Sequence, residues 1–265
     1  MTKERIYGLF GRRGMSKRIS LSPALEEKLL SAPKVVILSG AGVSAESGIS
    51  NFRDKDGLWE KFKPEDLATP AAFERNPKLV WEWYAYRRKK IQSVKPNPAH
   101  LALAQMEKFF PEFLLVTQNV DNLHQKAGSK KLVELHGNIN RNKCFSCEKL
   151  STGNNFDSKT VPPLCKCGGY LRPDVVWFGE ILPEDALEKA QRASSEAELF
   201  FSVGTSAIVY PAAALPFLAK EQGAFVVEIN TQETEISPAV DELLLGKAGE
   251  ILPGLVEFMK QNGKK

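Results

Sequence analysis

The stretch "KVVILSGAGVSAESGISNFRD", Lys34–Asp54, decides the fold. Four consecutive aliphatic residues, Val35 to Leu38, read as a buried strand. Gly40, Gly42 and Ala45 then fit G-x-G-x-x-G/A between that strand and a helix, the dinucleotide fingerprint. Glycines there let backbone approach a pyrophosphate, and a helix N-terminus adds partial positive charge. A tight turn in any α/β protein uses the same glycines, so the pattern alone leaves both readings open. The continuation is not that of a dehydrogenase, which needs a second strand ending in an acid for the adenosine ribose. "NFRDKDGLWEKF", residues 51–62, has no strand character.

Further apolar runs recur along the chain: "FLLVT" (113–117), "KLVEL" (131–135), "ELFFSV" (198–203), "AFVVEI" (224–229) and "ELLLG" (242–246). Amphipathic helical patterns over 97–108, 184–195 and 211–222 lie between several of them. Strand and helix alternating at this spacing predict an α/β fold, a Rossmann-like doubly wound parallel sheet. Residues 21–55, 96–136 and 180–265 belong to that sheet domain. Residues 56–95 and 137–179 break the rhythm and read as an inserted small lobe, part helical and part zinc ribbon. Residues 1–20 read as a basic, disordered tail.

The 265 residues carry a net charge of +4, with 43% hydrophobic and 26% charged residues, the composition of an ordinary globular protein. The excess cations sit in residues 1–18, so the body is near neutral, which argues against general nucleic-acid binding. The longest apolar candidate for a membrane span, Ala207–Ala219, is short and broken by Pro211 and Pro216. A secretory leader is not expected, so the chain reads as cytoplasmic and reducing, and a monomer is favoured.

The only cysteines, Cys144, Cys147, Cys165 and Cys167, form C-x2-C-x17-C-x-C. In a reducing compartment two close thiol pairs suit one tetrahedral zinc rather than two disulfides. Gly168 and Gly169 offer the turn that the tighter second pair requires. Four thiolates leave no open position, so this zinc is structural.

"VWEWYAYRRKK", Val80–Lys90, admits three readings: an aromatic and basic nucleic-acid platform, an amphipathic helix, or a pocket wall. Arg88, Lys89 and Lys90 read as a solvated face.

Polar fragments follow the apolar strands: "TQNVDNLHQKAG", "HGNINRNKC", "RPDVVWFGE", "VGTSAIVYPAA" and "VEIN". Together with the cysteine spacing, their order resembles the sirtuin family of NAD-dependent protein lysine deacylases, from about Val35 to about Pro253. The resemblance implies a large NAD-binding domain, a small zinc lobe, and a cleft between them where NAD meets an acylated lysine of a protein substrate. It implies cofactor contacts at Gly40, Ala41, Gly42, Ser44, Ala45, Phe52, Arg53 and Trp59, and at Gln118, Asn119, Val120 and Asp121. Further cofactor contacts are implied at Gly204, Thr205, Ser206, Asn230, Thr231, Gln232 and the segment Gly246–Ala248. Val175, Trp177, Phe178 and Gly179 would clamp the substrate peptide by backbone pairing. Ser50-Asn51 departs from the family's Pro after Gly-Ile, which loosens the cofactor loop without removing a functional group.

In the family reaction the acyl oxygen of the modified lysine attacks C1′ of the nicotinamide ribose. Nicotinamide leaves, a ribose hydroxyl completes the transfer with the help of a base, and free lysine and O-acyl-ADP-ribose result. Asn119 and Asp121 are expected in the catalytic set. Of the three histidines, His100 at a helix start and His124 in a helix read as structural. His136, where a buried strand meets a Gly turn, reads as the base, and the resemblance selects the same residue. Within the family, Tyr-x-x-Arg resembles the pocket of the branch that removes succinyl and malonyl groups. Tyr84 and Arg87 share a helix face, and a guanidinium fork matches a carboxylate. Two charge-assisted hydrogen bonds give about a hundredfold preference for an acidic acyl group, with deacetylation retained. The rival readings are protein ADP-ribosyl transfer and a zinc-ribbon nucleic-acid binder.

Overall fold

The computed structural model describes residues 20–49, 64–151 and 160–264. Phe52, Arg53, Trp59 and the Ser50-Asn51 departure lie outside the described residues, as does the basic stretch 1–18.

Each apolar run of the main domain is a strand. β1 (Lys34–Ser39), β2 (Glu112–Thr117), β3 (Leu132–Glu134), β7 (Leu199–Val203), β8 (Phe225–Asn230) and β9 (Glu242–Leu245) form one six-stranded sheet in the order β3-β2-β1-β7-β8-β9. Every pairing in it is parallel, with Val36 opposite Leu114 on one side and Phe200 on the other. The sheet steps outward from β1 in one direction and then from β7 in the other, the Rossmann-like winding expected from the alternation.

Alternate side chains of each strand point to opposite faces. Val35 and Ile37 pack with Leu115, Phe201 and Val227 against α1 (Pro23–Ser31), α6 (Pro98–Met106) and α10 (Ala248–Gln261). Val36 and Leu38 pack with Val116, Phe200 and Val226 against α8 (Glu184–Glu196) and α9 (Leu215–Glu221). Ile37 and Leu38 are fully buried, each worth about 1.5–3 kcal/mol of apolar transfer. Covering on both faces is why these strands are unbroken apolar runs rather than alternating ones. The helical pattern over 211–222 divides into a 3-10 turn at Ala212–Ala214 and α9, because Pro216 fits only the first turn of an α-helix.

The second body of packing is separate. β4 (Gly137–Cys144), β5 (Leu150–Ser151) and β6 (Leu171–Val175) form an antiparallel sheet in the order β5-β4-β6, with a register shift between Asn138 and Asn142. The helix α5 (Pro77–Gln92) lies against it, with the short helix α4 (Pro70–Arg75) against α5 and α3 (Pro64–Leu67) against α4. Their cluster joins Phe73, Val80, Trp83, Tyr84 and Ile91 to Ile139, Val175 and Trp177. "VWEWYAYRRKK" is therefore an internal stretch of α5, with Trp83 and Tyr84 turned into this cluster.

Arg88 corrects the reading of a solvated cationic face. Its Nε donates to Ile139 O at 2.5 Å and its Nη2 donates to Asn142 Oδ1. Its guanidinium carbon lies 5.1 Å from the Trp81 ring centre. Burial pulls its pKa down to about 10. It stitches α5 to β4, while Lys89 is exposed. No helix among the described residues is long and apolar enough to cross a membrane.

Candidate active site

Two turns cross between β1 and β7, where the order of strand addition switches sides. The turn after β1 carries Gly40 and opens α2 (Ala41–Ala45), and the turn after β7 carries Gly204. Gly40 N donates to Val203 O at 2.9 Å and Gly42 N to Gly204 O at 2.8 Å. A Cβ on Gly40 would lie 2.7 Å from the Thr205 Cα, and one on Gly42 would lie 2.8 Å from the Gly204 Cα. Gly204 itself has φ +58, and its Cβ would meet Val43 N at 2.6 Å. The close backbone approach these glycines permit is thus between the two turns.

Polar side chains collect at the ends of the strands beside this crossing. Asn119 Nδ2 donates to Gly40 O at 3.0 Å and to Ser44 Oγ at 3.1 Å. Ser44 Oγ donates to Asp121 Oδ2 at 2.6 Å, and the other Asp121 oxygen takes the Leu123 N–H at 2.8 Å. Burial raises the Asp121 carboxyl, against the opposing pull of those two donors. Gln118 Nε2 donates to Thr205 Oγ1 at 3.0 Å, and Asn230 Nδ2 to Thr205 O at 2.9 Å. Asn119, Ser44 and Asp121 therefore form one hydrogen-bonded group and Gln118, Thr205 and Asn230 a second, the two adjoining at the neighbouring residues Gln118 and Asn119, with Gly40, Ala41, Gly42 and Gly204 in the turns beside them. Ala45 and Ser206 are exposed beside it, Val120 is half-buried, and Thr231 and Gln232 are exposed beyond β8. Ala248 is buried at the start of α10, whose Gly249 N–H donates to Glu46 Oε1 at 2.9 Å.

His136 follows β3 and is half-buried. Its Nδ1 lies 3.0 Å from Gln118 O. A carbonyl oxygen only accepts, so Nδ1 carries the proton and Nε2 is the open lone pair of a neutral ring. Burial lowers the His136 pKa, partly offset by that carbonyl.

Ser39, Thr117 and Asn97 of this region escaped the sequence reading. Ser39 Oγ donates to Thr117 Oγ1 at 2.9 Å and lies 2.9 Å from His124 Nε2. The His124 ring centre lies 4.8 Å from that of His100 with the planes inclined at 53°, and burial holds both rings neutral, with pKa values pushed down to about 3 and about 4. Asn97 donates from Nδ2 to Val43 O at 2.7 Å while capping α6. Only Asn97 had a signal, an Asn before the Pro of a helix start.

On the second body, Tyr84 is buried and its Oη accepts from Trp177 Nε1 at 2.9 Å. Burial pushes its phenol up to about 12, with the Arg87 charge pulling the other way. Arg87 lies over the Trp83 ring at 4.9 Å. Val175 and Trp177 are buried, while Phe178 and Gly179 are exposed. The N–H groups of Val176, Trp177 and Phe178 donate to His136 O, Glu180 Oε2 and Ala68 O. A substrate strand added here must therefore use other backbone groups of the segment.

The sulfurs of Cys144, Cys147, Cys165 and Cys167 all lie within 4.8 Å of one another, a set that could hold one metal ion. Cys144 and Cys167 are 3.5 Å apart, and the N–H groups of Ser146 and Cys147 both point at the Cys144 sulfur at 3.4 Å. Gly168, at φ +87, makes the turn behind the second pair. The Cys167 backbone N–H draws the Cys165 thiol down to about 7, toward the thiolate a metal needs.

Fold and site together define an α/β protein with a Rossmann-like sheet, a polar centre at its switch point and a four-thiol centre. The Sir2 family model matches residues 40–211. An NAD-dependent protein deacylase of Aquifex aeolicus is 55% identical over 228 residues, covering 86% of this chain and 95% of the relative. An NAD-dependent protein deacylase of Pyrococcus furiosus is 52% identical over 242 residues, covering 89% and 97%. A solved Sir2 homologue in complex with NAD superposes with a TM-score of 0.84 at 44% identity, covering 92% of this chain and 96% of that one. The chain belongs to the Sir2, or sirtuin, family.

Proposed function

We propose that the chain is an NAD-dependent protein lysine deacylase that removes succinyl and malonyl groups, and acetyl groups as well, yielding free lysine, nicotinamide and O-acyl-ADP-ribose. The observation that carries this is the position of Gln118. Its carbonyl holds His136 and its side chain holds Thr205, so a neutral imidazole and the crossed glycine turns are tied to one residue. The residues at the switch point fit a dinucleotide, because amide, hydroxyl and carboxyl groups converge where open α/β sheets take their ligands.

Bound NAD supplies a ribose carbon open to attack, with nicotinamide as the leaving group. Asn119, Asp121 and Ser44 form the polar wall on the nicotinamide side. Gly40, Ala41, Gly42 and Ala45, with Gly204, Thr205 and Ser206, carry the diphosphate side, and Asn230, Thr231, Gln232 and Ala248 the adenosine side. His136 takes a ribose hydroxyl proton at Nε2, while Nδ1–H stays on Gln118 O and fixes the tautomer. Trp177, Phe178 and Gly179, with Val175 behind them, form the peptide side of the cleft.

Tyr84 and Arg87 read the acyl end: both are on α5, three residues apart, and a neutral phenol and a guanidinium suit a carboxylate. The four cysteines hold one structural zinc, since four sulfurs fill a tetrahedral site. Residues 56–95 and 137–179 form the small lobe, and the enzyme works as a monomer in the cytoplasm, where free thiols persist. The test is mass spectrometry of the NAD-derived product with an acylated peptide. O-acyl-ADP-ribose is expected, whereas ADP-ribosylated protein without it would replace this reading by ADP-ribosyl transfer.

A further inference from the structure

The Trp177 ring is 2% exposed and held from two directions. The Arg172 guanidinium carbon lies 3.2 Å from its ring centre, and Arg172 is itself buried. Arg172 Nη2 donates to Val175 O at 2.6 Å and to Glu180 Oε2 at 2.9 Å, and Nη1 donates to Glu180 Oε1. The same Glu180 Oε2 accepts the Trp177 backbone N–H at 2.8 Å. Burial alone would raise the Glu180 carboxyl, but Arg172 and the Trp177 N–H hold it below its ordinary value. A bidentate ion pair thus closes the segment 172–180 on itself and grips Trp177 by backbone and by ring face.

On its free edge the indole donates from Nε1 to Tyr84 Oη at 2.9 Å, with the two rings 6.4 Å apart and inclined at 29°. An indole N–H only donates, so the phenol oxygen accepts here. A phenol O–H lies near its ring plane and chooses between two orientations. A donor seated on one side of the oxygen selects the orientation that turns the O–H away from it.

We propose that Trp177 is a positioning residue for acyl-group selectivity: anchored by the Arg172–Glu180 pair, its indole N–H sets the Tyr84 hydroxyl so that the O–H proton faces the carboxylate of an acidic acyl group. The inference rests on the reading of Tyr84 and Arg87 as the residues that meet the acyl end. It assigns the Trp177 ring a task inside the lobe, away from the peptide. The phenol stays a neutral donor throughout the physiological range, because burial pushes its pKa up to about 12.

The experiment measures kcat and KM on succinyl-lysine and acetyl-lysine peptides for wild type, Trp177→Phe, Tyr84→Phe and the double variant. Phenylalanine keeps an aromatic face over Arg172 and removes the donor. The succinyl-to-acetyl ratio of kcat/KM is expected to fall about fivefold in Trp177→Phe, the worth of one hydrogen bond, with the change carried by KM for the succinyl peptide. The double variant is expected to match Tyr84→Phe, because the indole acts only through the hydroxyl. Benzothienylalanine at position 177 keeps the indole shape without its N–H and serves if Trp177→Phe loses its melting transition. An unchanged ratio in both position-177 variants, with a lowered ratio in Tyr84→Phe, overturns the inference and spares the acyl-reader assignment. Additive losses in the double variant also overturn it. An unchanged ratio in Tyr84→Phe sinks the acyl-reader assignment itself, and the inference with it.

Discussion

The Nδ1 of His136 lies 3.0 Å from the carbonyl oxygen of Gln118, so the proton of the neutral ring is on Nδ1 and the lone pair is on Nε2. Burial keeps the ring pKa below 6.5, so the base form is the one present at neutral pH. It is lost as pH falls through the lowered value. The kcat/KM profile is therefore expected to be flat near pH 7 and to drop on an acid limb below 6.5. His136→Ala should keep its zinc and melting temperature and lose about 100-fold or more in turnover. Turnover close to wild type would remove His136 from the mechanism.

The crossing of the two turns makes a separate prediction about stability. Gly204 has φ +58 and no room for a methyl group beside Val43 N at 2.6 Å. Gly223 has φ +92 and open space around it. Gly204→Ala is expected to destabilise by more than the about 1–3 kcal/mol of backbone strain alone, and to weaken NAD binding by displacing α2. Gly223→Ala carries the strain without the clash. Chemical denaturation of both, beside calorimetric titration with NAD, should separate them; equal losses would mean that the turn contact is unimportant.

The four thiols should bind one zinc per chain. Cys144 is buried and receives two backbone N–H groups, so Cys144→Ser should lose the metal and lower the melting temperature. Elemental analysis with thermal melts checks this. Peptide deacylation that survives complete zinc removal in a folded protein would contradict a structural role tied to the small lobe.

The strands were legible because a sheet covered on both faces turns each strand into an unbroken apolar run, and Val35–Leu38 shows that locally. The cysteine spacing was legible because two close thiol pairs at such a spacing can meet on one metal ion, and the four sulfurs do converge. Arg88 was misread because its partners, Ile139 and Asn142, are more than 50 residues away and nothing in the local charge run announces them. Arg172 and Glu180 were passed over because an isolated charge usually faces water, and only tertiary packing buries Arg172, on β6, against Glu180 in the turn beyond it. The role of the glycines was half legible. Their need for close backbone contact could be read, but not that the contact is between the turns after β1 and β7.

The central claim is tested most directly by an acyl-lysine peptide panel of acetyl, malonyl, succinyl and glutaryl groups, run with and without NAD on wild type and Arg87→Met. Strictly NAD-dependent deacylation is expected, with the acidic groups preferred in wild type and the succinyl-to-acetyl ratio falling about 10–100-fold in Arg87→Met. Deacylation without NAD, or none on any peptide, would contradict an NAD-dependent deacylase, and an equal loss on all four groups would contradict the acidic-acyl assignment.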